Sequence, residues 1–306
     1  MNLTINVQPG GSIVINGNNP ELNPEVQQEP QPSESWTYET PTKIEDLKNC
    51  FDIPSQKYFE TEGLSSHKLI DFIKCPLLCV DKYDPVRAEH FITGRAAHTL
   101  ILEGAGKFNE QYIVGGPVNP KTGKHYGRDT QAFEKWINDP ENNAEGKEFI
   151  TEEQRAECTT MNSSVYNHAE AEKILSSESV AELSVIGEMF DMKVKGRIDL
   201  YSEEYGLVDL KTVDDIDRMK YHFKDYMYDV QLAFYHWLIT DVCEAKYCPV
   251  YLITVEKKHP YRTGVFYLHP DRLAAHRVRV MEAIQRYSVA KINNHWPTGY
   301  EEVRTI

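Results

Sequence analysis

Residues 193–211 read Lys-Val-Lys-Gly-Arg-Ile-Asp-Leu-Tyr-Ser-Glu-Glu-Tyr-Gly-Leu-Val-Asp-Leu-Lys. Strand side chains alternate, so Lys193, Lys195, Arg197 and Asp199 fall on one face and Val194, Ile198 and Leu200 on the other. A polar turn ending at Gly206 follows. A second strand then sets Leu207, Asp209 and Lys211 against Val208 and Leu210. With the turn centred near Glu204, Asp199 and Asp209 oppose each other on neighbouring strands, with Cβ atoms about 4.5–5.5 Å apart. Like charges so placed destabilise a sheet, and two close carboxylates cannot both ionise freely. A divalent cation between them removes the repulsion, and Mg2+ favours carboxylate, carbonyl and water oxygens. Lys211 emerges on the face of Asp209. Two acids and a lysine around such an ion suit the attack of a water molecule on a phosphodiester. The same spacing also fits a solvent-facing hairpin whose charges pair across the strands.

Asp199, nine intervening residues and then Asp209-Leu210-Lys211 resemble the PD-(D/E)XK nuclease signature, with Ile198 where the name has proline. Gln231 and Tyr235, in Asp-Val-Gln-Leu-Ala-Phe-Tyr-His, are similar to the helix motif that follows the catalytic lysine in the RecB-like branch. Upstream, Gly94-Arg95-Ala96-Ala97-His98 with Glu103 resembles the helix of that branch that brings a histidine to the metal. The three motifs in this order are most similar to RecE-like (exonuclease VIII) nucleases and their phage relatives, over about residues 60–300. The resemblance implies an α/β fold, a central mixed sheet flanked by helices with a restriction-endonuclease-like core. It implies Mg2+, with Mn2+ as a substitute, held by His98, Asp199, Asp209 and the backbone carbonyl of Leu210. Lys211 then assists the attacking water, and Gln231 and Tyr235 position the substrate. Glu182 resembles the acid that precedes the first catalytic aspartate, with Glu188 a competing candidate. The further implications are 5′→3′ digestion of one strand from duplex DNA ends for recombination, a ring-shaped homo-oligomer and a single-strand annealing recombinase as partner. An endonuclease of the same superfamily, and a non-catalytic DNA-binding protein on a degenerate nuclease fold, remain open alternatives.

The 306 residues are 41% hydrophobic, enough for one sizeable core, and carry a formal net charge of −14. That balance excludes a protein that coats nucleic acid through bulk charge, but not a nuclease with a local basic groove. No apolar run approaches the roughly 18–20 residues of a membrane-spanning helix. Neither a basic nor a long apolar opening suggests secretion, so a bacterial host cytoplasm is expected. The six cysteines are scattered without zinc-knuckle spacing and are expected to be free thiols.

Residues 1–45 are expected to form a leader: a small hairpin around Gly10-Gly11, then a linker rich in Pro, Gln, Glu and Ser, with the nuclease domain over 46–306. The packed part is expected from about Tyr58. Ser65-Ser66 begins a helix carrying Leu69, Ile70, Phe72 and Ile73, which Pro76 ends. The spacing of Phe91, Gly94, His98 and Ile101 predicts a helix over about 87–103 with His98 in its inward stripe, either as a satisfied core residue or as a ligand. Residues 115–146 read as a loop with Lys121, Lys124, His125 and Arg128 as its basic cluster. A single long helix is expected from Thr151, with glutamates at the capping-box positions, to Leu175. Residues 214–228 mix tyrosines, Phe223, Arg218, Lys220 and Lys224, a composition that either stacks on bases or packs a core. The alternation over 247–256 predicts a central strand. A last helix over 270–294 bears Arg272, Arg277, Arg279, Arg286 and Lys291, either packed outside the sheet or against DNA.

Overall fold

The structure is a computed structural model that describes residues 41–81, 90–142, 144–303 and 305, with the side chains of 90 and 91 outside the description. The strands are β1 (Cys50–Phe51), β2 (Tyr112–Val114), β3 (Glu148–Ile150), β4 (Ser179–Met189), β5 (Met192–Ser202), β6 (Gly206–Val213), β7 (Val250–Glu256) and β8 (Thr263–Tyr267). The helices are α1 (Ser55–Glu60), α2 (Ser66–Lys74), α3 (His90–Leu102), α4 (Gly104–Gln111), α5 (Gln131–Ile137), α6 (Glu152–Asn167), α7 (Ala169–Leu175), α8 (Met219–Asp225), α9 (Tyr228–Trp237) and α10 (Pro270–Asn293). Six strands make one mixed sheet in the order β1-β4-β5-β6-β7-β8, antiparallel except for the parallel pair β6–β7, and β2–β3 form a separate parallel pair. This is the α/β architecture expected from the sequence.

Helices cover both faces because each face of the sheet is apolar. On one side α2, α9 and α10 bury Leu69, Phe72, Val230, Phe234, Leu238 and Ile284 against Val194, Ile198 and Leu207. On the other, α3 and α6 bury Ala96, Ala97, Ile101, Cys158, Met161 and Val165 against Leu200, Val208, Leu210 and Ile253. A helix enclosed on all sides is apolar all round, as the run Val230, Leu232, Ala233 and Phe234 at 0–1% exposure shows. It lies flat on β5 because residue 196 is glycine; a Cβ there would come within 2.3 Å of Leu238 Cδ1. Gly94 serves α3 similarly, its missing Cβ leaving Thr212 Oγ1 at 3.0 Å. That close approach brings α3 down onto β6.

Several sequence expectations need correction. Ile198 and Leu200 do not share a face: Ile198 and Tyr201 enter the core under α9, and Leu200 enters the core under α3. Alternation shifts by one at this point, where Glu182 on the adjoining strand takes a left-handed φ of 54°. Residues 115–146 are not all loop, since Thr130 caps α5 by accepting from the Phe133 amide. The helix from Thr151 stops at Asn167, because His168 is extended, and a second short helix follows. Its capping box pairs Thr151 with Gln154 rather than with a glutamate. Packing also begins before Tyr58: Tyr201 Oη donates to Thr42 O at 2.7 Å and Lys48 N to Cys243 O at 3.0 Å. The Gly10-Gly11 hairpin and the linker to residue 40 lie outside the described residues.

The α2 start is as expected, with Ser65 Oγ accepting from Lys68 N. In α10, Arg277 pairs with Asp241 at 2.9 Å and Arg279 with Asp229 at 3.5 Å, and Arg286 lies over the Phe72 ring, so these arginines tie the helix to its neighbours. All six cysteines are free thiols. Among the described residues, no helix is long and apolar enough to cross a membrane.

Candidate active site at the parting of two strands

The β5–β6 ladder pairs Ser202 with Gly206, Tyr201 with Leu207 and Leu200 with Val208, and stops there. One step further along the same register come Asp199 and Asp209. The β4–β5 ladder pairs Ala181 with Leu200 and Leu183 with Ile198 but skips Glu182 and Asp199 between them. Glu182, Asp199 and Asp209 therefore occupy one row across three neighbouring strands, at the level where both ladders are interrupted. Like charges facing one another oppose regular pairing, which accounts for the interruption.

Each acid has its own surroundings. Asp199 Oδ2 accepts from the Leu210 amide at 2.9 Å, replacing the ladder bond that would have formed there. His98 Nε2, from α3, lies 3.0 Å from the same oxygen, and His98 Nδ1 lies 3.5 Å from Glu182 Oε1. Glu182 Oε2 is held by Arg197 Nε at 2.5 Å. Asp209 is 1% exposed, and among the described residues its carboxylate has no partner besides the Lys211 ammonium, which lies 2.5 Å from Oδ2.

Burial would raise the Asp199 carboxyl, but His98, Lys211 and the Leu210 amide outweigh it and hold it at about 2. Burial pushes Asp209 up to about 6, with Lys211 opposing and Asp199 adding to the rise. Burial would lower His98, yet Asp199 and Glu182 raise it. It would also lower Lys211, which Asp209 and Asp199 instead keep firmly protonated. Two carboxylates with values driven apart beside a charged lysine form the kind of environment in which acid–base roles are divided.

The helix motif also arrives at this place. Gln231 Nε2 donates to Tyr235 Oη at 3.2 Å, and Tyr235 Oη is 3.3 Å from the Ser66 hydroxyl. Burial, then the charge of Asp199, pushes the Tyr235 phenol up to about 12. Glu103, at the start of α4, is close enough for Glu182 to add to its burial-raised value. Glu188 stands opposite Lys193 and is exposed, away from this group. Of the two candidates, Glu182 is the one that lies beside His98. Tyr228, from the aromatic segment 214–228, also comes to this place, its ring 5.4 Å from Lys211 Nζ.

The donor set suits a divalent cation. Among the described residues, His98, Glu182 and Asp199 offer ligand atoms all within 4.8 Å of one another. The 3.0 Å between His98 Nε2 and Asp199 Oδ2 is the spacing of two neighbouring ligands about 2.1 Å from one octahedral ion. Asp209, with the Lys211 ammonium as its one partner among the described residues, keeps further lone pairs free of protein donors. No cysteine belongs to the group.

Residues 65–306 match the family described as a PDDEXK-like domain of unknown function (DUF3799). The chain belongs to that family. This PDDEXK-like domain places it in the PD-(D/E)XK nuclease superfamily. No curated protein matches it in sequence. In fold it is similar to the crystal structure of a protein from Eubacterium rectale provisionally named an exonuclease, at 14% identity and a TM-score of 0.59, over 84% of this chain and 96% of that one.

Proposed function

We propose that this PDDEXK-like protein is a Mg2+-dependent deoxyribonuclease that degrades double-stranded DNA from its ends. One observation carries the reading: Asp199 and Asp209 share a row where two strands part, and the buried Asp209 has Lys211, at 2.5 Å, as its one partner among the described residues. A purely structural carboxylate at that depth would be held by several donors, as Glu256 is.

His98, Asp199, Asp209 and the Leu210 carbonyl would hold the ion, with Glu182 as an additional donor and Mn2+ as a substitute. When bound, the ion supplies Lewis-acid polarisation of the phosphate and a lowered pKa for the attacking water. Lys211, kept protonated by its two aspartates, neutralises charge that develops on the phosphate oxygens and aligns the attacking water. Gln231 and Tyr235 orient the substrate backbone, and Ser66 fixes the Tyr235 hydroxyl in place.

The finer features rest on the RecE-like resemblance. They are 5′→3′ polarity, production of single strands for recombination, a ring-shaped homo-oligomer, a single-strand annealing partner, phage origin and work in a bacterial cytoplasm. A time course on linear duplex DNA labelled at either the 5′ or the 3′ end, with Mg2+ and then EDTA, tests the reading. Release of the 5′ label as short products, blocked by EDTA, is expected, with closed-circular plasmid left intact. Nicking or linearisation of the circle would make the protein an endonuclease, and no metal-dependent change in any substrate would refute the nuclease reading.

A further inference from the structure

The segment between β6 and α9 carries aromatic rings that the catalytic arrangement does not use. Lys211 Nζ lies 5.4 Å from the centroid of Tyr228, the first residue of α9. Tyr228 is braced by an edge contact with Phe223 at 6.1 Å and stacked with Tyr226 at 5.6 Å and 26°. Tyr226 in turn meets the His222 ring at 5.5 Å. Met227, between the two stacked tyrosines, adopts φ 55°, a left-handed conformation disfavoured for a side chain of its kind. That turn lets alternate residues present their rings to one another.

The chain of rings runs from the lysine of the site outward into solvent. Tyr226 is 55% exposed and Tyr221 is 49% exposed. Arg218 and Lys220 lie over the Tyr221 ring at 5.9 and 4.9 Å. Single exposed aromatic residues need no explanation. A stacked pair that starts at the lysine of a phosphodiester site and ends in the solvated Tyr226 ring, on a segment whose other solvated ring, Tyr221, is flanked by cations, does need one. Rings of this kind offer flat apolar faces to any base, and the neighbouring cations offer charge to the phosphates between bases.

We infer that Tyr228, Tyr226 and the cations around Tyr221 form a stacking track for a single strand of nucleic acid, with Tyr226 the platform for an unpaired base next to the phosphate held at Lys211. The inference rests on the nuclease reading of the site for the position of that phosphate. Stacking on a solvated ring requires a base whose face is free, so the strand on this side of the site is unpaired, as at a frayed duplex end.

The test uses the full chain in Ca2+ with an oligothymidylate that carries 2-aminopurine near its end, read by fluorescence quenching and anisotropy. The parent protein is expected to bind it and quench the 2-aminopurine. Tyr226→Leu should abolish the quenching and weaken binding roughly 5- to 100-fold. Tyr226→Trp, which keeps a flat ring, should retain both, and Tyr300→Leu, an exposed tyrosine outside the track, should bind as the parent does. Parent-like quenching and affinity in Tyr226→Leu, or no binding by the parent, would overturn the track. The same strand is then offered with Mg2+. With a linear duplex offered in Mg2+ beside that strand, quenching by the single strand without cleavage of the duplex would sink the nuclease reading and leave the track standing, and cleavage of the duplex with an unaffected Tyr226→Leu would do the reverse.

Discussion

Asp209 and Glu256 are both carboxylates buried in the same sheet, at 1% and 3% exposure. Glu256, at the end of β7, accepts from Arg262 Nε at 2.9 Å, from the Arg262 amide at 3.2 Å and from the Ile216 amide at 3.0 Å. Arg262 Nη2 adds a further bond at 2.6 Å. The Arg262 bonds, outweighing burial, hold Glu256 at about 2. Asp209 has only the Lys211 ammonium among the described residues, and burial pushes it up to about 6. A buried acid saturated with donors fastens the fold, whereas one left with open lone pairs is kept for something that arrives from outside.

The two regions should fail in different ways. The largest effect is expected at the open site. Lys211→Ala should lower DNA cleavage roughly 10²- to 10⁴-fold, and Asp209→Asn should reduce it to background. Thermal melting of Asp209→Asn should change little, because the carboxamide keeps the volume and Asp199 still compensates the Lys211 charge. A large drop in its melting temperature would mean that Asp209, like Glu256, is structural.

Glu182 falls between the two extremes, with one oxygen held by Arg197 and the other facing His98. Glu182→Gln should weaken divalent-metal binding by roughly 10- to 100-fold in titration calorimetry, and Glu188→Gln should leave it unchanged. Equal effects from both would remove Glu182 from the site.

At the closed end, Glu256→Gln should leave metal affinity alone and lower the melting temperature by roughly 2–10 °C. The smallest effect is in pH. The folded value of Glu256 lies below its ordinary 4.5, so its contribution to stability is present above that pH and is lost as pH falls toward about 2. Asp209 has the opposite sign. Its folded value is above the ordinary 3.8, so in chelator-treated protein its contribution is present below that pH and is lost as pH rises through about 6. Denaturant titrations across pH should show the second decline disappear in Asp209→Asn and the first in Glu256→Gln.

Much of this contrast could be read from residue order. Asp209 and Lys211 share a face because strands alternate, and the turn near Glu204 fixes the register that brings Asp199 level with Asp209. Gln231 and Tyr235 meet because they lie four apart on a helix. His98 reaches the acids because Gly94 lets its helix approach β6. Other features depended on tertiary conflict. The left-handed Glu182 and the shifted alternation at Ile198 and Leu200 arise where three acids in one row resist pairing, and no local propensity encodes that. The break at His168 has neither glycine nor proline to announce it. Helix α5 hides among turn residues, with Thr130 as its one local signal. Tyr226 and Tyr228 could equally have packed a core; Tyr226 stays 55% exposed, whereas Tyr228 is half-buried against Val213, Met219 and Leu252.

The most direct test is a crystal structure grown with Mn2+, with anomalous scattering locating the ion. A peak within coordination distance of His98, Asp199 and Asp209, abolished by Asp209→Asn, is the expected result. An ion found only elsewhere, or a site left empty while Asp209 gains protein hydrogen bonds, would contradict the account.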